Sequence, residues 1–377
     1  MASGRVRCAR MRIDEVELRV VSVPFRSPVR TSYGTESEKV AVLATVRSDG
    51  VEGYGEGVME NLPLYREESV DGALALLRRA LVPWILANDV TQPDTLTDAW
   101  RCWRGNPMAK ATLEHAVWDC CARQRDLPLW EVLGGSGAAV AVGASLGLTP
   151  IPDTLERVGR HLDEGYQRIK LKVEPGADVD LLAAVRTAFP GAALSADANS
   201  AYSLADADHL RGFDAIGLTY LEQPLHWDDL VEHAALAGML ATPLCLDESL
   251  TSYERTVAAL DLGACAVVNL KSGRVGGHAV ARRINDLCVA RSVPLWCGGM
   301  YELGIGRAHN IHLATLPGFT LPGDTASASR TYEHDIVQEA LEATAGWMPV
   351  PAGPGIGVSL DRPFLERVTC STETHRR

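Results

Sequence analysis

The feature that most limits how this chain can fold is a regular series of charged residues in its central part. Short apolar runs recur there, and each is closed by one charged residue: Lys172, Asp197, Glu222, Asp247 and Lys271. The intervals between these residues are 25, 25, 25 and 24 positions. Each interval also contains a segment of helix length, and a strand followed by a helix at this period is typical of a parallel β/α array. The series therefore predicts a parallel barrel with charged side chains at the C-terminal ends of its strands, where barrel enzymes carry their active sites.

The other strands of the predicted barrel are apolar runs before and after this series. Residues 140–146 give strand 1, with Ser145 near its end, so that the charged residues fall on strands 2 to 6. Residues 294–297 give strand 7, and residues 319–321 give a shortened strand 8. We predict an α/β fold of the TIM-barrel type for this part of the chain.

The chain begins with a different pattern. Strand-like runs occupy residues 12–23, 39–47 and 51–56, and the first is expected to end at Pro24. Asp49-Gly50, between the second and third runs, is a strong hairpin signal. Antiparallel strands do not begin a β/α array, so they indicate a separate module. Apolar residues at helical spacing follow at residues 66–81, 94–104 and 108–125.

The length of the chain, 377 residues, leaves room for one barrel and a smaller module. We predict that residues 1–10 are a disordered extension and that residues 11–135 form an α+β capping domain. The barrel is placed at residues 136–330. We expect the loop-rich tail, residues 331–377, to return to the capping domain and complete it.

Composition and charge narrow the classes of partner. The net charge of −12 and the isoelectric point near 5.3 argue against nucleic acid and against an anionic membrane surface. No uninterrupted apolar stretch reaches the roughly 18 residues that a membrane span needs. Nine cysteines without Cys-x-x-Cys spacing or a Cys/His zinc pattern are interpreted as small core residues of a cytoplasmic protein. We expect a small-molecule carboxylate as substrate and a homo-oligomer as the assembled state.

The three acidic residues of the series predict a metal site. Asp197, Glu222 and Asp247 end adjacent strands at the same height, where like charges raise one another's pKa unless a cation neutralises them. Carboxylate oxygens favour a hard ion, so Mg²⁺ is the first choice and Mn²⁺ the second. The alternative for any one of these acids alone is an ordinary helix cap or salt bridge.

The lysines predict acid–base chemistry. Lys170 and Lys172 share one face of their strand, and two adjacent ammonium groups next to a metal are expected to disfavour each other's charge and so lower a lysine pKa toward that of a general base. Lys271 lies four strands away in an eight-strand ring, which places it across the metal from Lys172. This arrangement suits removal of a proton α to a carboxylate, with stabilisation of the enediolate that forms. The alternative for Lys170 and Lys172 alone is a pair of surface lysines at a strand edge.

The motifs around the series resemble those of a known family. They are Lys-x-Lys at residues 170–172, Asp-x-Asn at 197–199, Glu-Gln-Pro at 222–224, Asp-Glu-Ser at 247–249, Lys-x-Gly-Arg-x-Gly-Gly at 271–277 and Cys-Gly-Gly-Met at 297–300. Further matching segments lie at residues 31–34, 53–56, 63–65, 108–110, 165–170 and 321–324. Together they are similar to the enolase superfamily, muconate-lactonizing subgroup, and most of all to its o-succinylbenzoate synthase/N-succinylamino acid racemase group.

This resemblance implies a modified (β/α)7β barrel beneath an α+β capping domain, and it implies roles for the residues of the series. The metal would be bound by Asp197, Glu222 and Asp247. The supporting residues would be Lys170, Asn199 and Glu248. Lys172 would take the α-proton and, in synthase chemistry, assist departure of a hydroxyl group as water. Lys271 would stabilise the intermediate or act as the acid–base group on the opposite face. The substrate-binding residues would be Arg30, Tyr33, Ser145, Gly298, Gly299 and Met300.

The reaction implied is dehydration of 2-succinyl-6-hydroxy-2,4-cyclohexadiene-1-carboxylate to 2-succinylbenzoate, a menaquinone-pathway step, together with N-succinylamino acid racemisation. The alternative within the superfamily is an N-acylamino acid racemase or dipeptide epimerase without the pathway role. Two departures from the family pattern bear on substrate preference: Ser272 stands where proline is expected, and Ser329 where an acid is expected. Two other classes stay open, a metal-free Schiff-base aldolase that uses one lysine and a barrel that binds without catalysis.

Overall fold

The computed structural model describes residues 10–31 and 34–377, with only the backbone of Arg30 and Thr31. An antiparallel hairpin opens the chain, formed by β1 (Glu15–Thr31) and β2 (Gly34–Ser48), and β3 (Val51–Glu56) pairs with β2. Asp49 and Gly50 both have positive φ, at 50° and 79°, which confirms the predicted two-residue turn. The predicted end of the first strand at Pro24 is wrong. β1 continues because the pairing with β2 shifts register between Pro24 and Val29, and an irregular ladder tolerates a proline that cannot donate.

Short helices and one long helix cover this sheet. They are α1 (Val70–Leu76), a π-helical turn (Leu77–Leu81), α2 (Val82–Ala87), α3 (Thr95–Ala99), α4 (Pro107–Gln124) and α5 (Leu129–Leu133). The helix predicted from residue 66 begins instead at Val70, because the Ser69 side chain caps it by accepting from the Gly72 amide. The helix predicted at residues 94–104 is confined to α3. Gly53 allows α4 to lie directly on β3, since a Cβ there would be 2.3 Å from the Ala116 carbonyl oxygen.

The central part of the chain forms a seven-stranded parallel sheet whose strands follow chain order. After β4 (Ala139–Ala141), its strands are β5 (Ala144–Leu146), β6 (Ile169–Lys172), β7 (Leu194–Asp197), β8 (Leu221–Glu222), β9 (Leu244–Leu246), β10 (Val267–Leu270) and β11 (Leu295–Cys297). The intervening helices are α6 (Ile151–Asp163), α7 (Val179–Ala188), α8 (Ala207–Leu210) between 3-10 turns Leu204–Asp206 and Arg211–Ile216, α9 (Val231–Ala237), α10 (Tyr253–Leu262), α11 (Ser272–Val275) and α12 (His278–Ala290).

Both ends of the predicted barrel differ from expectation. Residues 140–146 do not form one strand, because β4 pairs with a segment of the tail while only β5 joins the parallel sheet. The predicted strand 8 is not a strand. Two isolated parallel bridges stand in its place, Leu295–Phe319 and Val142–Gly323, so residues 319–323 connect the two edges of the sheet. The fold is the modified (β/α)7β barrel with a separate capping sheet.

The tail packs against the N-terminal sheet, as predicted, and it is more ordered than its glycines and prolines indicate. After α13 (Gly304–Leu313) and a 3-10 turn at Ala328–Arg330 come β12 (Trp347–Pro349), α14 (Arg362–Val368) and β13 (Thr369–Arg376). β12 pairs with β4, and β13 pairs antiparallel with β1 as the outer strand of the capping sheet. The exact domain boundaries stay predictions.

Most cysteines occupy the core, as expected: Cys120, Cys245, Cys265, Cys288 and Cys297 are buried and free. Cys121 differs, because it is buried but disulfide-bonded. Within the described ranges, none of the helices is both long and apolar enough to cross a bilayer.

Candidate active site

The charged residues of the series meet at one end of the parallel sheet. Strand register sets Lys172 beside Asp197, and Asp197 beside Glu222. A cavity of about 290 Å³ lies over these strand ends. Of the predicted catalytic, metal-binding and supporting residues, those in its wall are Lys170, Lys172, Asp197, Asn199, Asp247 and Lys271. Glu222 is completely buried beneath the cavity. Its carboxylate accepts a hydrogen bond from Lys170, which lines the cavity. The structure therefore brings both lysines predicted to be catalytic and all three predicted metal ligands to one place.

Lys170 is a buried cation held by acids on three sides. Its Nζ lies 3.2 Å from Asp197, 3.0 Å from Glu222 and 2.9 Å from Asp324. Nζ also lies 4.7 Å from the centre of the Trp296 ring. Burial opposes the charge, but the three carboxylates outweigh burial and raise the pKa of Lys170 well above its usual value. Lys170 is therefore a fixed positive charge that positions carboxylates.

Lys172 is the more accessible lysine, with 33% of its side chain exposed. It donates to Asp197 Oδ2 at 2.7 Å and to the side-chain oxygen of Asn199. The predicted lowering of the Lys172 pKa by Lys170 is present, but among the protein's own groups it is not the largest contribution. Burial and Lys170 do lower the pKa, but the attraction of Asp197 exceeds them and the pKa of Lys172 is raised. Any positive charge that binds Asp197 would oppose that attraction.

Lys271 lies on the opposite side of the cavity, immediately after β10. Its Nζ donates to Asp247 Oδ2 at 2.8 Å and to the Tyr65 hydroxyl at 3.2 Å. Burial lowers the pKa of Lys271, but the nearby Asp247 carboxylate outweighs burial and raises it. The lysine is held by one acid from the barrel and one phenol from the capping module.

Arg274 pairs with Asp247 and neutralises its charge from outside the cavity wall. Its guanidinium contacts Asp247 Oδ1 and donates to the Tyr65 hydroxyl at 2.9 Å. The same group donates to the backbone oxygens of Leu250 and Asn269, at 2.8 and 2.7 Å. Arg274 is completely buried. It therefore packs against the backbone at Leu250 and Asn269 and also neutralises the charge of Asp247.

The acids fit a hard divalent cation by their chemistry. They supply only carboxylate oxygens, and burial together with repulsion by Asp197 raises the pKa of Glu222 to about 8. Buried oxygens of Glu248 and Asn269 nearby have no hydrogen-bond partner among the described residues. Among the described residues, no set of three carboxylate oxygens, one from each predicted ligand, lies within 4.8 Å of one another.

The supporting residues connect neighbouring strand ends. The Asn199 side-chain oxygen accepts a hydrogen bond from Lys172, and Asn199 Nδ2 donates to Glu248 at 3.0 Å. Gln223 Oε1 accepts from the backbone of Asp247 at 3.0 Å, so the end of β8 fixes the end of β9. Asn199 and Gln223 both have positive φ, at 41° and 38°. Such conformations in non-glycine residues are costly and persist where the surroundings enforce them, as at functional sites.

The predicted substrate-binding residues divide into three groups. Ser145, Gly299 and Met300 line the cavity, and the Ser145 hydroxyl donates to Asp324 at 3.0 Å. Gly298 lies behind Lys271, where an added Cβ would be 2.5 Å from Lys271 Cε. The Arg30 side chain and Tyr33 lie outside the described residues.

Sequence reasoning missed two groups that complete the site. Asp324, just after the bridges that replace strand 8, accepts from Lys170 and also contacts Arg168. Its position at the eighth strand end was a usable signal. Tyr65 approaches from the capping module, and no strand spacing could have indicated its contact with Lys271. Glu56 accepts backbone hydrogen bonds from Leu303 and Gly306 at the start of α13, which is a structural role.

Comparisons with known proteins identify the family. The model of the mandelate racemase/muconate lactonizing enzyme N-terminal domain matches residues 14–134, and the enolase C-terminal domain-like model matches residues 153–364. An N-succinylamino acid racemase from Thermus thermophilus is 54% identical over 95% of this chain and 98% of its own. An o-succinylbenzoate synthase from Geobacillus stearothermophilus is 47% identical, over 95% of this chain and 96% of its own.

A solved structure agrees with this assignment. A member of the enolase superfamily from Listeria innocua has 37% identity and a TM-score of 0.95, with 97% of this chain and 99% of that chain covered. The chain therefore belongs to the mandelate racemase/muconate lactonizing enzyme family, within the enolase superfamily.

Proposed function

We propose that this protein removes a proton α to a carboxylate and acts as an o-succinylbenzoate synthase in menaquinone synthesis, with N-succinylamino acid racemase activity. The observation that carries the proposal is the placement of Lys172 and Lys271 in one cavity, each in direct contact with a different predicted metal ligand. Relatives bearing each of the two names, at 54% and 47% identity, support it.

Asp197, Glu222 and Asp247 would hold Mg²⁺, the ion that members of this superfamily typically bind. The ion supplies a positive charge that stabilises the negative charge developing on the substrate carboxylate. The protein's own residues carry out the proton transfers. Lys172 Nζ, in its neutral form, takes the proton from the carbon next to the carboxylate. In the synthase reaction the Lys172 ammonium returns that proton to the departing hydroxyl group, so that one water leaves and the ring becomes aromatic.

Racemisation would use the second lysine. After Lys172 has taken the proton on one face, the Lys271 ammonium delivers a proton to the same carbon from the other face. Lys271 is suited to hold that proton because Asp247 and the Tyr65 hydroxyl both contact its Nζ. In the synthase reaction Lys271 needs only to keep its charge near the developing anion.

The far end of the substrate would meet positive charge. The cavity wall includes Arg307 and Arg330. Arg307 donates to two backbone oxygens, and Arg330 contacts His161 and the Tyr166 ring. Neither guanidinium contacts a carboxylate in these interactions, so both can attract a second anionic group. The carboxylate of a succinyl group, which both proposed substrates carry, has the right charge.

A second candidate is an N-acylamino acid racemase or dipeptide epimerase without the pathway role. The presence of two lysines in the cavity favours it, because a synthase needs only one base whereas racemisation needs an acid–base group on each face. The 54% identical relative is named as a racemase.

Steady-state assays with both substrates test the proposal. The purified protein, first treated with EDTA, should be inactive and should recover both reactions when Mg²⁺ is added. A synthase rate at background with a high racemase rate would replace the first candidate by the second. Activity unaffected by EDTA, with trapping of a lysine adduct by borohydride, would contradict both and indicate Schiff-base chemistry.

A further inference from the structure

Three histidines form a cluster away from the proposed active site. His115 lies on α4, His278 is the first residue of α12, and His309 lies on α13. Their exposed fractions are 3%, 0% and 0%. The ring centres are 4.3, 4.7 and 5.0 Å apart. The cluster therefore joins a helix of the capping module to two helices of the barrel, and none of its members lines the catalytic cavity.

Hydrogen bonding fixes the orientation of one ring. His309 Nε2 lies 2.8 Å from the backbone oxygen of Tyr54, so Nε2 carries the proton and donates it. The lone pair of His309 Nδ1 is then directed toward His278, whose Nε2 is 2.9 Å away. A histidine that donates one nitrogen to a backbone carbonyl and presents the other is the usual arrangement of a metal ligand.

The other rings have unmet hydrogen-bonding capacity. Neither nitrogen of His115 has a partner among the described residues, and Nδ1 of His278 has none either. Buried polar atoms without partners are costly, so they call for an explanation. A proton on His278 Nε2 would satisfy the contact with His309 but would leave His115 with nothing.

A metal ion would give one nitrogen of each of the three rings a partner. One nitrogen from each histidine lies within 4.8 Å of one from each of the others, the only group of three such donors in the described ranges. Zinc holds imidazole nitrogens at about 2.0–2.1 Å, which corresponds to roughly 3.3 Å between two ligands in a tetrahedral site. The 2.9 Å separation of the His278 and His309 nitrogens is near that value.

We propose that His115, His278 and His309 bind one Zn²⁺ ion that fastens α4 to α12 and α13. Neutral imidazole is the form that binds metal, and burial lowers the pKa of all three rings, which keeps them neutral. The Glu114 carboxyl group accepts from the His278 backbone amide at 2.9 Å, which fastens the start of α12 to α4.

A fourth buried histidine is excluded as a ligand. His312 Nδ1 accepts from the backbone amide of Trp130 at 3.1 Å, so its proton is on Nε2 and no lone pair is free.

Because the rings are buried, the ion would enter when the capping module and barrel associate. The full chain is unfolded in guanidinium with EDTA and refolded with millimolar Mg²⁺, with or without one equivalent of Zn²⁺. Unbound zinc is removed with a chelator that binds magnesium weakly. Retained zinc is then counted by mass spectrometry. We expect about one zinc per chain in the wild type and a higher melting temperature in the zinc-loaded sample.

Variants locate the ion. His115→Leu and His309→Leu should each retain less than a tenth of the wild-type zinc. Two controls should retain it in full: His226→Leu, which changes an exposed histidine, and Asp247→Asn, which changes the catalytic cavity. Loading with Co²⁺ gives a second readout on the wild type, since four-coordinate Co²⁺ absorbs visible light far more strongly than six-coordinate Co²⁺.

The proposal is overturned if the wild type retains no zinc, or if its Co²⁺ form lacks the intense bands. It is also overturned if Asp247→Asn loses the ion while His115→Leu keeps it. Should the leucine variants fail to refold, the zinc count and Co²⁺ spectrum of the wild type alone decide between these outcomes.

Discussion

Two lysines two positions apart have different environments and therefore different proposed roles. Lys170 is enclosed and shared by Asp197, Glu222 and Asp324, whereas Lys172 is one-third exposed and reaches the cavity. Because an ammonium group with three acids around it does not readily lose its proton, Lys170 is suited to positioning and Lys172 to proton transfer. Strand alternation predicts that both point into the site, but it cannot predict which is enclosed, because Asp324 comes from a distant part of the chain.

Arg330 is predicted to recognise the second carboxylate of the substrate. Arg330→Ala should raise KM for N-succinylamino acids about tenfold, since a hydrogen bond to a charged group contributes about 1.5 kcal/mol or more. The measurement is a comparison of KM for N-succinyl and N-acetyl forms of one amino acid. The N-acetyl form lacks the distal carboxylate, so its KM should not change. An equal rise for both substrates would contradict the assignment.

Glu56 is predicted to make stability depend on pH. Burial is the main reason why the pKa of Glu56 is raised from 4.5 to about 8. Between these values the folded state keeps a proton that the unfolded state has lost, so the free energy of unfolding falls as pH rises from 4.5 to 8. Glu56→Gln mimics the protonated acid and should reduce that slope by up to about 1.4 kcal/mol per pH unit.

The measurement for Glu56 is the urea midpoint at several pH values. Glu38→Gln, at an exposed position, serves as the control and should leave the slope as it is in the wild type. A slope unchanged in Glu56→Gln would mean that this buried carboxyl group is ionised throughout the range.

At the scale of single elements, the site depends on how closely neighbouring strand ends approach. A Cβ at Gly298, after β11, would be 2.1 Å from Asn269 Oδ1 and 2.5 Å from Lys271 Cε. A Cβ at Gly299 would meet nothing nearer than 3.5 Å. The two adjacent glycines therefore form a matched pair in which only Gly298 packs against Lys271, a lysine proposed to be catalytic.

Gly298→Ala is predicted to displace Lys271 and lower kcat/KM for racemisation by about 10- to 100-fold, because small misplacements of a catalytic group are costly. Gly299→Ala should stay within about threefold of the wild type, since its contacts are ordinary. The measurement is the racemisation rate of both variants, together with their circular dichroism. Equal losses in the two variants would show that Gly298 does not act through Lys271.

The elements that sequence predicts well are those with a local signal. The spacing of charged residues identified β6 to β10, and the Asp49-Gly50 turn identified the β2–β3 hairpin. Elements defined by distant partners were not predicted. β4 separates from β5 because β12 pairs with it, and residues 319–321 form bridges instead of a strand. Local apolar pattern does not contain that information.

At the scale of the whole molecule, the capping module and the barrel share the site. Tyr65, from the capping module, contacts Lys271, Arg274 and Asp247. The end of the chain supports the same module, because β13 adds the outer strand to β1. Sequence alone indicated that the tail returns, but the Tyr65 contact depends on how the two parts pack.

Removal of residues 362–377 is predicted to weaken the capping module. The deletion removes Phe364 and Leu365, which are buried, and exposes the edge of β1. A loss of about 3–6 kcal/mol is expected from the two side chains, and the open edge should promote aggregation. Urea unfolding and light scattering measure both effects, with a chain lacking only Arg377 as the control. A truncated protein as stable as the control would contradict a structural role for β13.

We propose that Lys172 and Lys271 exchange protons with one carbon of a carboxylate substrate from opposite faces. Exchange of the α-hydrogen of each enantiomer of an N-succinylamino acid in D2O, followed by NMR with Mg²⁺ present, tests it most directly. The wild type should exchange both enantiomers, and Lys172→Ala and Lys271→Ala should each slow exchange of a different enantiomer by about a hundredfold or more. No exchange by the wild type, or full exchange of both enantiomers by Lys172→Ala, would rule out these roles for the two lysines.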